Sequence, residues 1–210
     1  MAHNVRSKRN EIGGSKRPSG GRSRQRLIRI CLIWSPRLAV AVTSIELVVL
    51  LAYGLGWEHV WRPLSGGPSI HPWTAISLSL LGVSVLLARP AKQSDVSALL
   101  AVFAAWIALA RLLTAVSGYA DLFQEWSPFH LTLLAEASAG HPIVMGIRTA
   151  EMIFLLAAAL CLVRARHAGL SQIVAFVAAF PLLISVIGYL YGSPNFQGAV
   201  ALPTLVAGLL

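Results

Sequence analysis

The sequence predicts an all-α integral membrane domain: about six transmembrane helices in three repeated hairpins, preceded by a disordered basic tail. Three observations carry that expectation. The 210 residues are 56% hydrophobic and only 12% charged, with a mean hydropathy of +0.70; soluble domains carry about twice that charged fraction. The apolar residues fall in runs of about 20, the length a helix needs to cross about 30 Å of hydrocarbon. A short pattern of tyrosine, glycine and threonine recurs three times along the chain.

The tail comes first. Residues 1–30 are polar, basic and rich in Gly and Ser at their start, and so bury too little apolar surface to offset the entropy of ordering. Ten of the seventeen Lys and Arg residues precede Ala39, so the net charge of +9 belongs largely to this segment. Without interleaved aromatics it does not read as a nucleic-acid site. A cytoplasmic anchor on anionic lipid is the simpler account. The segment is too long for the charged start of a signal peptide and no A-x-A cleavage site follows, so the first apolar run is expected to remain as an anchor. Cys31 and Cys161 show neither pairing nor metal spacing.

Residues 37–210 are the expected transmembrane domain. Five spans are predicted, at about 37–57, 72–89, 97–118, 143–163 and 170–191. A sixth begins near Ala199 and reaches Leu210 after twelve residues, about 18 Å of helix. It is expected to continue. The connections "RPAKQSD" and "RARHAG" are basic, whereas the others hold Glu58, Arg62, Asp121, Glu125 and Glu136. The positive-inside rule then places the amino terminus and both basic turns in the cytoplasm. Trp57, Trp61, Trp73 and Trp126 are expected at the outer interface, which indole rings favour.

The hairpins share an internal pattern. The odd-numbered spans end in "AYGLGW", "SGYADLF" and "IGYLYG", giving corners with Tyr53, Gly118 and Tyr119, and Gly188 and Tyr189. The following helices open with "PWTA", "IRTA" and "LPTL", which contain Pro72 and Thr74, Thr149, and Pro203 and Thr204. Each tyrosine precedes its threonine by 21, 30 or 15 residues. Pro suits a first helical turn because the amide it lacks would have no intrahelical partner. The nearby Thr hydroxyl is expected to reach a free backbone group or the neighbouring helix. One copy would be an ordinary helix end; three in phase with the topology point to an internal triplication.

With "HPWTAISLSLLGVSVLLARP", "VIGYLYG" and "ALPTLVAGLL", residues 37–210 resemble the amino-terminal multi-span sensor region of bacterial signalling proteins. The third hairpin matches best. The second has Arg148 before Thr149, and the first corner reverses the Gly–Tyr order. The resemblance implies a multi-pass protein of the bacterial inner membrane. It also implies an input region for a cytoplasmic histidine-kinase, PAS, diguanylate-cyclase or phosphatase output beyond Leu210, as in two-component systems.

No nucleophile motif, phosphate-binding loop, zinc helix or dinucleotide turn is present, so no catalytic residue, metal or cofactor is expected. Charges inside spans are the remaining functional candidates. These are Glu46, Arg111, Arg148 and Glu151, with Arg111 and Glu151 roughly 10–12 Å deep and Glu46 at about 16 Å. The expected partners are Arg111 and Glu151, joined by Glu46, either as a structural ion pair or as a polar switch. His59, His71, His130 and His141 read as solvated loop histidines. Pro181 is expected to kink the fifth span, and Ala101, Ala104, Ala105 and Ala108 to allow close helix approach. The alternative function is a small transporter or permease, also built from repeats. A homodimer would suit signalling, though no residue specifies it.

Overall fold

In the computed structural model the described residues are 20–63, 68–88, 95–117, 120–141, 143–191 and 200–209. They form two compact units, Met1–Trp34 and Ser35–Leu210. The secondary structure described is entirely helical: α1 (Gly20–Leu55), α2 (Glu58–Trp61), α3 (Pro72–Leu87), α4 (Asp95–Ser117), α5 (Ala120–Glu125), α6 (His130–Ser138), α7 (Ile147–Arg164), α8 (Ala168–Leu190) and α9 (Leu202–Leu209). Helix α1 starts at Gly20, within the stretch expected to lack structure.

Among the described residues, three helices are long and apolar enough to cross a membrane: Ile33–Leu55 within α1, α4 and α8. Six such spans are not shown. Apolar α3 has 16 residues, and α9 has eight. Helix α7 has 18 residues but carries Arg148, Glu151 and Arg164. The stretch between α4 and α7, expected to be a loop, contains the short helices α5 and α6.

Packing follows the small residues. Ala101, Ala104 and Ala108 lie three and four apart and are almost wholly buried on α4, which packs against α3 and α7. On α7, Ala150 and Ala157 face inward, and it also packs against α8 and, less extensively, α3. Short side chains let the backbones approach closely where dispersion supplies the attraction. Helix α9 rests on α8, and a Cβ at Gly208 would sit 2.8 Å from both Leu182 methyls and 3.1 Å from Met152 Sδ.

Many large apolar side chains of α4 and α8 point outward. Leu99, Val102, Phe103, Trp106 and Leu113 line the exposed side of α4, and Ile173, Phe176, Phe180 and Leu183 that of α8. Meanwhile Ser77, Ser84, Ser97, Ser171 and Ser185 are buried. Water would penalise apolar bands of this extent; lipid would not. Serines join the helices from within. Ser84 Oγ donates to Ser97 O at 2.8 Å, Ser97 Oγ donates to Ser84 O at 2.9 Å, and Ser171 Oγ donates to Ala159 O at 2.8 Å. An Arg164–Asp95 ion pair ties α7 to α4 at the same end. Helix α8 continues through Pro181, whose carbonyl accepts a 2.9 Å bond from Ser185 Oγ.

Helix α1 meets α3 at Gly82. A Cβ there would lie 2.3 Å from Thr43 Oγ1 and 3.1 Å from Ala39 O. The Thr43 hydroxyl is committed to Ala39 O at 2.8 Å and has little freedom to yield. Gly82→Ala therefore sets about 1 kcal/mol of helix propensity against overpacking worth about 1–3 kcal/mol, on a backbone atom that cannot move alone. Net destabilisation of about 1–2 kcal/mol is expected in thermal unfolding in detergent micelles. Adding Thr43→Ala should recover part of it; full additivity of the two changes would show that they do not touch.

Candidate functional site

Return helices α3, α7 and α9 begin in one common register. Thr74, Thr149 and Thr204 are each the third residue of their helix, and all three are buried. They are not the caps: His71 and Gly146 hold that position in α3 and α7. Four residues before each threonine stands a buried residue, Ile70, Met145 or Val200. Each of these three offers its carbonyl to a side chain. Tyr53 Oη donates to Ile70 O, and Tyr189 Oη donates to Val200 O at 2.7 Å. In the second hairpin Arg111 Nε donates to Met145 O at 2.8 Å.

These bonds answer a physical need. A carbonyl two residues ahead of a helix lies outside its ladder, and in apolar surroundings it must find a donor. Tyr53 and Tyr189 supply one before α3 and α9, and Arg111 does so before α7. Gly118, Tyr119 and the side chain of Pro203 lie outside the described residues.

Around the first bond the aromatic residues are stacked. Tyr53 lies 4.4 Å from Trp61 and 5.3 Å from Phe129, centroid to centroid. Trp61 is thus buried rather than set at an interface, whereas Trp57 and Trp126 are exposed. Arg62 clamps the cover, pairing with Glu58 at 2.6 Å and with Glu136 of α6 at 2.7 Å. The sequence assigned these charges to loops without pairing them.

The expected Arg111–Glu151 pair does not form. Helix α7 turns Thr149, Ala150, Met152 and Ile153 inward, and 100° per residue carries Glu151 to the opposite, exposed face. Arg148 is half-buried on the same turn. Glu46 is completely buried on α1, and neither carboxylate oxygen has a hydrogen-bond partner. The antiparallel approach of α1 and α3, with Thr43 beside Gly82, puts Glu46 near the level of Leu78. Nearby in sequence, the Ser77 and Ser79 hydroxyls are also buried without partners. Three unpaired polar side chains at one depth are costly in apolar surroundings.

His71 departs from the expectation of a solvated loop histidine. It is 2% exposed and caps α3 by accepting a 3.2 Å bond from Trp73 N–H at Nδ1. The ring tilts against Phe123 at 5.8 Å. Burial, with a smaller push from the Arg111 charge, lowers its pKa from the usual 6.5 to about 3. A short polar residue before Pro-Trp-Thr would have announced the cap; a histidine in that position does not. At the opposite end, a cavity of about 50 Å³ between Ser84, Ser97, Leu160 and Val163 has room for only a few waters.

No known protein family, curated protein or solved structure matches this chain.

Two outcomes follow from this geometry. Tyr53→Phe and Tyr189→Phe each leave a carbonyl without its donor and should cost about 1–2 kcal/mol in unfolding experiments. Loss of less than a few tenths from both would mean that these bonds are not structural. His71 is neutral when folded, and its folded pKa lies below its unfolded one. Its contribution is therefore present above pH 6.5 and is lost as pH falls from 6.5 toward 3, at up to about 1.4 kcal/mol per pH unit. Melting temperature against pH should flatten over this window in His71→Asn, which retains a capping oxygen.

Proposed function

We propose that this chain is the membrane-embedded input region of a signalling protein. In this reading it crosses the bacterial inner membrane six times in three hairpins, with its amino terminus in the cytoplasm. Helix α9 passes a stimulus to a cytoplasmic output following it. The observation that carries the reading is the shared register of the three return helices, each with a side-chain donor on the carbonyl four residues before its threonine. Such bonds hold the start of each of these helices in place. A helix whose entry is fixed by one bond is a two-position element that a ligand can bias, if it favours one arrangement. The basic tail would lie on anionic lipid, and a homodimer is compatible with this arrangement.

A transporter is the second reading, favoured by one observation: the buried, unpaired carboxyl of Glu46. Intramembrane carboxyls of this kind mark ion and proton pathways. Against it, α1, α4 and α8 run unbroken, without the interrupted helices that build a midplane substrate site.

The two readings separate in one comparison. The chain is fused in frame after Leu210 to a kinase whose activity reports the position of the entering helix. Tyr189→Phe removes the bond before α9 and should shift the basal output up to about five-fold, the equivalent of one hydrogen bond. Tyr53→Phe, far along the chain from α9, should do less. Unchanged output from both variants at matched membrane levels would count against an input role. Solute flux into proteoliposomes that disappears in Glu46→Gln would establish transport instead.

A further inference from the structure

Helix α1 buries one stripe of side chains: Ala39, Val42, Glu46, Val49, Ala52 and Tyr53. Spacings of three and four residues put these on one helix face. The other side is turned out, with Val40, Leu47, Val48 and Leu51 each more than half exposed. Glu46 therefore stands where the pattern calls for an apolar side chain. It is wholly buried, and neither carboxylate oxygen has a hydrogen-bond partner.

A carboxylate so placed has two remedies, and both are closed. The first is a cation. Helices α3, α8 and α9 contain no Asp, Glu, His, Lys or Arg. On α4 and α7, Arg111 is bonded to Met145 O and Arg164 pairs with Asp95, while Arg148 and Glu151 stand in the first two turns of α7. Arg62 is taken by Glu58 and Glu136. On α1 itself, Arg37 lies nine residues away, about 13 Å along the axis, and the Tyr53 hydroxyl is committed to Ile70 O. Among the described residues no ion pair reaches Glu46. The second remedy is water. Glu46 lies nine residues inside the end of the apolar segment Ile33–Leu55, again about 13 Å, beyond the reach of its short side chain. Helix α1 is also held on both sides of it, with Thr43 against Gly82 and Tyr53 bonded to Ile70 O. A charge left buried and unpaired in this way is strongly unfavourable, and the group neutralises instead.

We propose that Glu46 is a proton-binding site, carrying one proton as a neutral carboxylic acid within the buried stripe of α1. A proton cancels the charge without needing a cavity, which a metal cation would require. Releasing it leaves an ionised carboxylate that only water or a new donor can stabilise, so α1 must part from its neighbours when the proton leaves. Proton occupancy and the packing of α1 are thereby linked. The site takes its proton whether the chain signals or transports, so the inference rests on neither reading.

The test is infrared absorption of the full chain at neutral pH in dodecyl maltoside, a detergent without a carbonyl group. A neutral carboxyl has a carbonyl band that an ionised carboxylate lacks. One such band is expected in the unaltered chain, and its loss is expected in Glu46→Gln, which keeps the shape and neutrality of the acid. Melting curves establish that the variant folds. Independently of that variant, labelling the glutamate carboxyls with a heavy carbon isotope should shift the band, and Glu46→Asp in the labelled chain should move it back. Absence of the band from the unaltered chain would overturn the proposal, as would a band that Glu46→Gln leaves unchanged or that the label does not shift. Stabilisation of the unaltered chain by sodium chloride over choline chloride, lost in Glu46→Gln, would put a metal cation at the carboxylate and overturn it as well.

Discussion

A carbonyl that leaves a helix ladder in apolar surroundings has to be given a donor, and the turnarounds of this chain are organised by that demand. Ile70, Met145 and Val200 present such carbonyls at equivalent positions, and three different side chains reach them from the preceding long helices. The donors fix where the return helices begin. From there the buried threonines, the alanine-lined contacts of α4 and α7 and the placement of α9 against α8 follow in register. Substituting a charged Arg for a neutral Tyr in the second hairpin keeps the bond but brings a cation inside. The same constraint thus makes the second turnaround chemically unlike the other two.

Much of this was legible in the sequence. Apolar runs of helical length gave α1, α4 and α8, and Pro72 at a loop edge marked the start of α3 to the residue. The recurrence of Tyr and Thr was visible, although the bonds at these positions were not: the acceptors are backbone carbonyls of Ile, Met and Val, which carry no sequence mark. The Ala spacing on α4 correctly gave its packing face. Arg111 and Glu151 lie at similar depth but do not meet. Two charges at the same depth meet only if their helices turn them toward each other, and α7 turns Glu151 away. His71 and Trp61 are buried, against the expectation of a solvated histidine and an interfacial tryptophan. His71 lies against Phe123 of α5 and Trp61 stacks on Tyr53, contacts carried by short helices that have no strong sequence mark.

The interior mixes hydroxyls and small side chains with large apolar ones such as Leu78, Leu81, Ile107 and Met152, while many Leu and Phe side chains of α4 and α8 face outward. Where hydrophobic attraction cannot hold helices together, close backbone contact and hydrogen bonds take its place. Glu46 is the exception within that scheme. It is fully buried on α1, and neither carboxylate oxygen has a hydrogen-bond partner.

The reciprocal serine pair between α3 and α4 has a mechanical meaning. Ser84 and Ser97 use both of their hydroxyls and both of their carbonyls on each other, so the end of α3 and the start of α4 are joined in a fixed register. Ser97 and Arg111 are fourteen residues apart on one straight element, a lever arm of roughly 21 Å. A tilt of about 5° about this joint would carry the guanidinium about 2 Å relative to α3. Sliding of α3 along α4 would break both bonds, whereas a small swing about them would not.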